Sequence, residues 1–258
     1  MEKSIVAVIL AGGLGTRMES DIPKVLHKIN GIPMIIYILK NLINLNKLIH
    51  VKKILIVVGK YRENIQKEIE KYINLSSIIY VNQPEPLGTG HAVNCCIDEL
   101  IKYPDTNTLI LSGDVPFFSI NSIIKLTENV LLARIVAMEM INPEGYGRIV
   151  IKNNKFEKIV EHNDCDPIEL GVKKVNCGIY CINTECLIKW LPSIKNDNAK
   201  GEYYLTDVIK IIKDEEKQDI EIYEIGYSDS YEVMGVNNKQ QLFELEIIMK
   251  NLLQLTIT

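Results

Sequence analysis

The sequence predicts a single α/β domain with a Rossmann-like, mostly parallel mixed sheet and helices on both faces. Strand and helix patterns alternate through the first half of the chain, and right-handed crossovers turn such alternation into a parallel sheet. The first apolar run, residues 5–11, is continuous rather than alternating, as expected for a strand buried on both faces. The chain has 258 residues, of which 47% are hydrophobic, and this is enough for one large core.

The elements follow in order from their local patterns. Pro33 predicts the start of a helix over 33–48, because proline fits the first turn of a helix. The other elements predicted for the first half are strand 53–58, amphipathic helix 62–72, strand 78–81, helix 91–103 and strand 108–111. Those predicted for the second half are a hairpin of strands 148–151 and 155–160 around Asn153-Asn154, strand 174–182, helix 202–213, strand 219–225 and a closing helix over about 238–253.

Composition limits the domain organisation and the classes of partner. No linker rich in proline, glycine or serine interrupts the chain, which predicts one domain over 1–258, with halves of about 1–140 and 141–235 and a closing segment over 236–258. The net charge of −4 gives no support for a nucleic acid or an anionic membrane as partner. Residues 1–4 do not resemble a signal peptide and no apolar run could cross a bilayer, so we expect a cytoplasmic protein. The six cysteines form no C-x-x-C pair, so no cysteine metal site is predicted.

A glycine-rich loop follows the first strand. Gly12, Gly13 and Gly15 allow close approaches that a Cβ would block, and successive amides in such a turn can cradle phosphate oxygens. Arg17 and Lys24 follow the loop, so two cations flank that concavity and predict an anionic substrate. A turn that only connects strand to helix is the alternative interpretation of the three glycines taken alone.

Two better-known glycine motifs do not match this loop. The dinucleotide fingerprint G-x-G-x-x-G would need glycine at the position of Met18. A P-loop would need serine or threonine after a Gly-Lys pair, and Gly59-Lys60 is followed by Tyr61. The loop therefore predicts a phosphate site of another kind.

A second loop, residues 83–92, reads QPEPLGTGHA and follows the strand predicted over 78–81. The amides and hydroxyl of Gly88, Thr89 and Gly90 could read the flat edge of a base, and the planar amide of Gln83 suits an imide edge such as that of uracil. The alternative is a loop shaped by proline and glycine that ends at a helix start. His91, like the other histidines, is interpreted as a packed or solvent-facing residue.

Two further residues could hold a metal ion. Asp114 follows the strand predicted over 108–111, where a carboxylate is a natural oxygen ligand for Mg²⁺; an Asx-turn or helix cap is the alternative. Asn237 could supply a second oxygen or cap the closing helix, and these roles could be divided between Asn237 and Asn238.

In the second half, Glu161 ends a predicted strand and Asn176 lies near the start of another, and such a pair suits sugar hydroxyls and an acetamide. Each of the two is individually more typical of a turn or ladder position.

Taken in order, the motifs resemble those of one family. They follow one another as in the N-acetylglucosamine-1-phosphate uridyltransferases, also called UDP-N-acetylglucosamine pyrophosphorylases. The motifs are LAGGLGTRM…PKVLH, Q-x-x-x-LGTGHA, GDVP, GYGRI, VEH, VNCGIY, GEYYLTD and GVNN. Residues from about 5 to 245 look like the amino-terminal domain of the bacterial bifunctional enzyme that also acetylates glucosamine 1-phosphate. The resemblance implies the nucleotide-diphospho-sugar transferase type of fold, with a nucleotide-binding first half and a sugar-binding second half.

The resemblance also implies a role for each matching position. Arg17 and Lys24 would be catalytic residues on the nucleotide phosphates, and Asp114 and Asn237 would hold Mg²⁺. The other positions would bind the substrates: Leu10, Ala11, Gly12, Gly13 and Gly15 around the nucleotide, Gln83, Gly88 and Thr89 on uracil, and Gly147, Glu161, Asn176, Tyr204 and Thr206 in the sugar pocket.

The implied reaction is the Mg²⁺-dependent transfer of UMP from UTP to N-acetylglucosamine 1-phosphate, which gives UDP-N-acetylglucosamine and pyrophosphate. The alternatives are a relative that uses another sugar 1-phosphate or nucleoside triphosphate, and a non-catalytic regulatory protein that binds a UDP-sugar. The sequence departs from the family in having Ser112 where a tyrosine is frequent, and in having no hexapeptide repeat of the β-helix type. We therefore expect no acetyl-transfer activity and a monomer or weak oligomer.

Overall fold

The computed structural model describes residues 4–13 and 15–255 of the chain. Its strands are β1 (Ile5–Leu10), β2 (Lys28–Ile29), β3 (Ile32–Pro33), β4 (Val51–Val58), β5 (Ile78–Asn82), β6 (Asn107–Ser112), β7 (Ala133–Glu139), β8 (Arg148–Lys152), β9 (Lys155–Val160), β10 (Lys174–Asn183) and β11 (Glu221–Ile225). Its helices are α1 (Met34–Leu45), α2 (Arg62–Glu70), α3 (Thr89–Asn94), α4 (Ile97–Leu100), α5 (Ile120–Thr127), α6 (Pro167–Leu170), α7 (Thr184–Trp190), α8 (Leu205–Glu216) and α9 (Lys239–Leu255).

A mixed sheet lies at the centre of the structure. Its main strand order is β11-β7-β10-β6-β1-β4-β5, and β8 joins β10 and pairs with β9 as a hairpin. Strands β6, β1, β4 and β5 are parallel to one another, β11 is parallel to β7, and β10 runs antiparallel to both β6 and β7. The predicted fold class, a mostly parallel mixed sheet between helices, is confirmed.

The strand order creates a crevice beside β1. From β1 the chain continues to β4 and β5 on one side, and it then crosses to β6 on the other side. Ligands of open α/β sheets bind at the carboxyl ends of the strands where the order reverses in this way. The loops after β1, β5 and β6 therefore meet at one edge of the sheet.

Apolar side chains pack on both faces of the sheet, which explains the continuous apolar run of β1. Ile5, Ala7 and Ile9 belong to the cluster covered by α1, α2 and α5, whereas Val6 and Val8 belong to the cluster covered by α3, α7 and α8. All five side chains are at most 1% exposed. Helix α9 covers a third, smaller cluster.

Several predicted elements are confirmed and two are wrong in part. Asn153 and Asn154 form the predicted hairpin turn with φ values of 52° and 61°, as a type I′ turn requires. The helix predicted over 91–103 is instead two short helices, α3 and α4, separated at Cys95-Cys96. The helix predicted over 202–213 begins only at Leu205, because the preceding residues pair with another loop. Strand β7 and helices α5, α6 and α7 are absent from the sequence prediction.

The closing helix is confirmed as α9, and residues 256–258 of the predicted closing segment lie outside the described residues. Within 4–13 and 15–255, no helix combines the length and the apolar character needed to span a bilayer. All six cysteines are free thiols.

Candidate active site

Two neighbouring cavities open at the carboxyl edge of the sheet. The first, named here the loop cavity, has a volume of about 370 Å³ and is lined by Leu10, Ala11, Gly12, Gly13, Lys24, Val25, Gln83, Pro86, Gly88, Thr89, Ala92, Ser112, Asp114 and Glu202. The second, named the strand cavity, has a volume of about 230 Å³ and is lined by Leu10, Thr89, Ser112, Asp114, Val115, Gly145, Tyr146, Gly147, Glu161, Asn176, Cys177, Gly178, Tyr180, Leu205, Thr206, Val233, Gly235 and Asn237. The two cavities share a wall formed by Leu10, Thr89, Ser112 and Asp114.

Four charged or amide side chains meet where the cavities join. The Lys24 ammonium donates to Asp114 Oδ2 and, at 3.2 Å, to Asn237 Oδ1. The Arg17 guanidinium also donates to Asn237 Oδ1, at 3.0 Å. Because one ammonium contacts both oxygens, the Asp114 carboxylate and the Asn237 carboxamide face a common point.

Backbone contacts bring these distant loops together. The N–H of Val236 donates to the Asp114 carbonyl at 2.9 Å and holds loop 235–237 beside the end of β6. The N–H of Gly113 donates to the Leu10 carbonyl at 2.9 Å, and a Cβ at residue 113 would lie only 2.7 Å from that oxygen. The close approach of β1 and β6 at this edge therefore requires glycine.

Asn237 and Asn238 divide the two roles that the sequence leaves open. Asn238 Oδ1 accepts the N–H of Gln241 at 2.8 Å and so caps α9. Gln241 Oε1 in turn accepts the N–H of Asn237 at 2.7 Å. The side chain of Asn237 is not used as a cap and faces Lys24 and Arg17 instead.

Hydrogen bonds join the loop after β5 to the segment before α8. The N–H of Tyr203 donates to the Leu87 carbonyl, and the N–H of Gly90 donates to the Tyr203 carbonyl, both at 2.8 Å. Thr89 Oγ1 accepts the N–H of Leu205 at 3.1 Å. Two groups that the sequence suggests for base recognition, the Gly90 amide and the Thr89 hydroxyl, thus also connect the loop after β5 to the segment before α8.

Gln83 lies in the wall of the loop cavity and is only 7% exposed. Its Nε2 donates to the Gly88 carbonyl at 3.2 Å and lies 3.2 Å from Nδ1 of His91. His91 is therefore a partner of a predicted base-binding residue, which nothing in the sequence pattern indicates.

Four of the predicted sugar-binding residues line the strand cavity. Glu161 Oε1 accepts a hydrogen bond from the Thr206 hydroxyl at 3.1 Å. A Cβ at Gly147 would lie 3.5 Å from the Glu161 carboxyl group, so the glutamate side chain lies against this glycine. Asn176 Nδ2 donates to the Tyr180 hydroxyl at 2.6 Å. The structure thus gathers residues from β10, α8 and the segments just before β8 and just after β9 around one space.

Burial sets the electrostatics of the strand cavity. It raises the pKa of Glu161 above the ordinary value of 4.5; the neighbouring Asp207 and Asp164 also raise it, whereas the Thr206 hydrogen bond and Lys200 lower it. Burial, with Asp164 as a second cause, also raises the pKa of Asp207. A further anion would be repelled here, so this end of the cavity suits a neutral polar ligand.

Three predicted site residues line neither cavity. Tyr204 is only 7% exposed, and Asp164 and Glu161 lie near its hydroxyl. Gly15 lies against the Lys24 side chain, and the exposed Arg17 reaches the site through Asn237. The substrate contacts expected of these residues stay predictions.

Several further lining residues are not among the predicted site residues. Ser112 donates from Oγ to Asp114 Oδ1 at 2.5 Å and lines both cavities. Tyr146 belongs to the GYGR motif and Glu202 to GEYYLTD, so their motifs could have indicated them. Tyr180 lies within β10, and only the fold brings it to the site.

One known protein family matches most of this chain. The family model described as nucleotidyl transferase matches residues 6–231. This chain belongs to the nucleotidyl transferase family. The matched range contains every predicted site residue except Asn237, and it therefore includes most of both cavities.

Curated relatives match this nucleotidyl transferase over almost all of its length. It is 41% identical over 248 residues to a probable UDP-N-acetylglucosamine pyrophosphorylase of Acanthamoeba polyphaga mimivirus, with 94% of the chain and 95% of the relative covered. It is 38% identical over 249 residues to the bifunctional protein GlmU of Clostridium botulinum strain 657, with 95% of the chain and 52% of the relative covered. It is 38% identical over 245 residues to the bifunctional protein GlmU of Saccharophagus degradans, with 94% of the chain and 51% of the relative covered. The chain thus spans nearly the whole viral relative and about half the length of the bifunctional ones, and the predicted resemblance is confirmed.

Nucleotidyl transferases of this family generally use a divalent metal. Among residues 4–13 and 15–255, no group of three or more His, Cys, Asp or Glu side chains could hold an ion. Asp114 and Asn237 offer two hard oxygen ligands facing one point, and an ion such as Mg²⁺ commonly completes its coordination with waters and substrate phosphates. The donor set therefore fits an ion that is shared with a phosphate ligand.

Proposed function

We propose that this nucleotidyl transferase transfers UMP from UTP to N-acetylglucosamine 1-phosphate and so forms UDP-N-acetylglucosamine and pyrophosphate. The observation that carries the proposal is the shared wall: Asp114 lines both cavities, and Lys24 and Asn237 lie beside it. A reaction between two anionic substrates needs two adjacent binding sites with positive charge at their junction. The names of the viral and bacterial relatives suggest the substrates.

UTP would occupy the loop cavity. The residues at and just after the end of β1 would surround the nucleotide: Leu10, Ala11, Gly12, Gly13 and Gly15. The Ala11 N–H donates to the Val57 carbonyl at 2.9 Å, so the amides of the glycines would bind the phosphate oxygens. Gln83, Gly88 and Thr89 would hold the uracil ring at the other side of this cavity.

The sugar would occupy the strand cavity. Glu161 and Asn176 would bind its hydroxyl and acetamide groups, because a carboxylate and a carboxamide offer the acceptors and donors that these groups need. Gly147, Thr206 and Tyr204 would complete this site. The acidic surroundings of Glu161 suit the neutral sugar ring, and they favour the phosphate end pointing toward Lys24.

In the reaction, a phosphate oxygen of the sugar phosphate forms a bond to the α-phosphorus of UTP. The bond from this phosphorus to the bridging oxygen breaks, and pyrophosphate leaves. The nucleophile is already an anion, so no side chain has to remove a proton. Lys24 and Arg17 would offset the repulsion between the two anions, and positioning with electrostatic stabilisation would provide most of the catalysis.

We assign Mg²⁺ to Asp114 and Asn237. When bound, the ion would supply positive charge next to the reacting phosphates. Asp114 and Asn237 would orient the ion, because the hydrogen bond from the Val236 N–H to the Asp114 carbonyl holds their two loops together. The cytoplasmic location, the absence of nucleic-acid and membrane partners and the oligomeric state stay predictions.

Pyrophosphate release with UTP and N-acetylglucosamine 1-phosphate in Mg²⁺ tests the proposal. We expect the highest kcat/KM for this pair, and lower values when glucose 1-phosphate, glucosamine 1-phosphate or CTP replaces one substrate. Preference for a sugar without the acetyl group would overturn the assignment of Glu161 and Asn176. Tight binding of UDP-N-acetylglucosamine without any pyrophosphate release would instead indicate a regulatory binding protein.

A further inference from the structure

The side-chain amide of Gln83 is held in one orientation. Its Nε2 lies 3.2 Å from the Gly88 carbonyl oxygen, which can only accept a hydrogen bond. The opposite orientation would place Oε1 against that carbonyl, and two acceptors at this distance repel each other. The nitrogen of the amide therefore points to Gly88.

His91 accepts the second hydrogen of the same amide. Nδ1 of His91, in the first turn of α3, lies 3.2 Å from Gln83 Nε2. Since Nε2 of Gln83 is a donor, Nδ1 must accept, and the neutral ring then carries its proton on its own Nε2, 3.9 Å from Cys95 Sγ. Both donors of the Gln83 amide are thus used within the protein.

The carbonyl oxygen of this amide faces the loop cavity. A Cβ built on Gly12 would lie 2.9 Å from Gln83 Oε1, and both residues line the cavity. Within the described ranges, 4–13 and 15–255, no group donates a hydrogen bond to Oε1. Gln83 therefore offers a base an acceptor and no donor.

We propose that His91 is a positioning residue for base selection, which acts by holding the Gln83 amide so that only its oxygen faces the base. A pyrimidine with N–H at position 3, such as uracil, can donate to this oxygen, whereas cytosine has a lone pair at that position and is repelled. Turning the amide over for cytosine would set Oε1 against the Gly88 carbonyl and would break the bond to His91. The inference rests on the proposed function only in taking the loop cavity as the nucleotide site.

The test measures binding of UTP and of CTP by calorimetry without sugar phosphate, so that base selection is separated from catalysis. His91→Phe keeps a ring but removes the acceptor, and it should lower the ratio of UTP to CTP affinity about 10-fold, the value of one hydrogen bond. His91→Leu serves as a second variant without an acceptor if the ring of phenylalanine prevents folding. His91→Asn places an oxygen near the position of Nδ1 and should keep the ratio within about threefold.

Two further variants show whether His91 acts through Gln83. Gln83→Ala should lower the ratio, and adding His91→Phe to it should change the ratio no further, because the group that His91 positions is already absent. Cys95→Ala removes only the weak contact on the far side of the ring and should keep the ratio of the unaltered protein.

An unchanged ratio in folded His91→Phe and His91→Leu proteins would overturn the inference. So would a double variant whose loss is the product of the two single losses. If the unaltered protein prefers UTP to CTP but releases no pyrophosphate, the proposed function fails while the inference stands. If it binds neither nucleotide, the assignment of the loop cavity fails, and the inference fails with it.

Discussion

The loop cavity and the strand cavity are built in different ways. The loop cavity lies where the loops after β1, β5 and β6 meet. The strand cavity is lined mainly by β10, the start of α8 and the segments just before β8 and just after β9; among these residues, Glu161 and Thr206 hydrogen-bond to each other. One site is thus formed mainly by converging loops, and the other mainly by side chains from separate segments that contact one another.

This difference predicts which substitutions should affect each site. A site formed by converging loops should not tolerate an added Cβ where two loops approach closely, whereas a site formed by separate side chains can lose one ligand contact and keep its shape. Asp114 belongs to both sites, so its loss should affect them together.

Asp114→Asn should reduce turnover about 10²-fold or more, because a neutral amide replaces the carboxylate at the junction of the cavities. The measurement is kcat for pyrophosphate release with both substrates at saturation. Asp105→Asn is the matched control, since Asp105 is exposed in the turn before β6 and lines neither cavity. Turnover of Asp114→Asn close to that of the control would reject the role of the carboxylate.

Gly88→Ala should destabilise the fold by about 1–3 kcal/mol, which is the usual cost of a strained backbone conformation. Gly88 has a φ of 112°, and a Cβ there would lie 2.5 Å from the Tyr203 carbonyl oxygen. The midpoint of thermal unfolding should fall by about 2–12 °C for a chain of this size. Gly226→Ala is the control, because that glycine has a φ of −69° and an added Cβ would meet only Ser228 Oγ, at 3.9 Å. Equal midpoints for the two variants would show that the loop after β5 is not shaped by this contact.

The same division explains what could be predicted from the sequence. Gln83 and Asp114 follow strands of a parallel sheet, and the carboxyl ends of such strands converge, so local patterns were sufficient to place the loop cavity. The strand cavity depends on the register of β8 to β10, and β10 shifts register between Asn176 and Tyr180, where Gly178 has a φ of 71°. No local spacing reveals such a shift. The positions of Glu161 and Asn176 near strand ends suggested only a polar pair, and the resemblance to a family was needed to indicate Gly147, Tyr204 and Thr206.

Tyr204 shows the limit of a prediction from a motif. It stands two residues before Thr206, which lines the strand cavity, but it precedes α8 in an extended conformation and its side chain is buried. Position within a motif therefore did not determine which way the side chain points.

Glu161→Gln should raise KM for the sugar phosphate about 10-fold and leave KM for UTP nearly unchanged, because hydrogen bonds to charged groups contribute about 1.5–3 kcal/mol. This result would separate the strand cavity from the loop cavity in function. Glu157→Gln on β9, the strand that precedes Glu161, is the control, since Glu157 pairs with Lys213 at 3.1 Å and lines neither cavity. An equal rise in both KM values would contradict the division.

The unfolding free energy should also depend on pH through Glu161. Its folded-state pKa is raised above 4.5, mainly by burial, so the folded protein holds this proton more tightly than the unfolded chain. The resulting stabilisation is fully present below about pH 4.5 and is lost as pH rises through the folded-state pKa. Denaturant titrations across this range should therefore show the unaltered protein losing stability relative to Glu161→Gln as pH rises. If the difference in unfolding free energy between the two proteins stays constant with pH, the pKa of Glu161 is not raised on folding.

Ser112→Ala should have the smallest effect, a loss of about threefold in kcat with both KM values little changed, because one neutral hydroxyl contributes about 0.5–1.5 kcal/mol. The Ser112 hydroxyl donates to Asp114 Oδ1 at 2.5 Å and leaves Oδ2 facing Lys24, so its removal should loosen the carboxylate without removing it. Ser193→Ala is a matched control, since the exposed Ser193 donates to the Trp190 carbonyl at 2.6 Å and lines neither cavity. A loss as large as that of Asp114→Asn would mean that the orientation of the carboxylate, rather than its charge alone, limits catalysis at the junction of the two cavities.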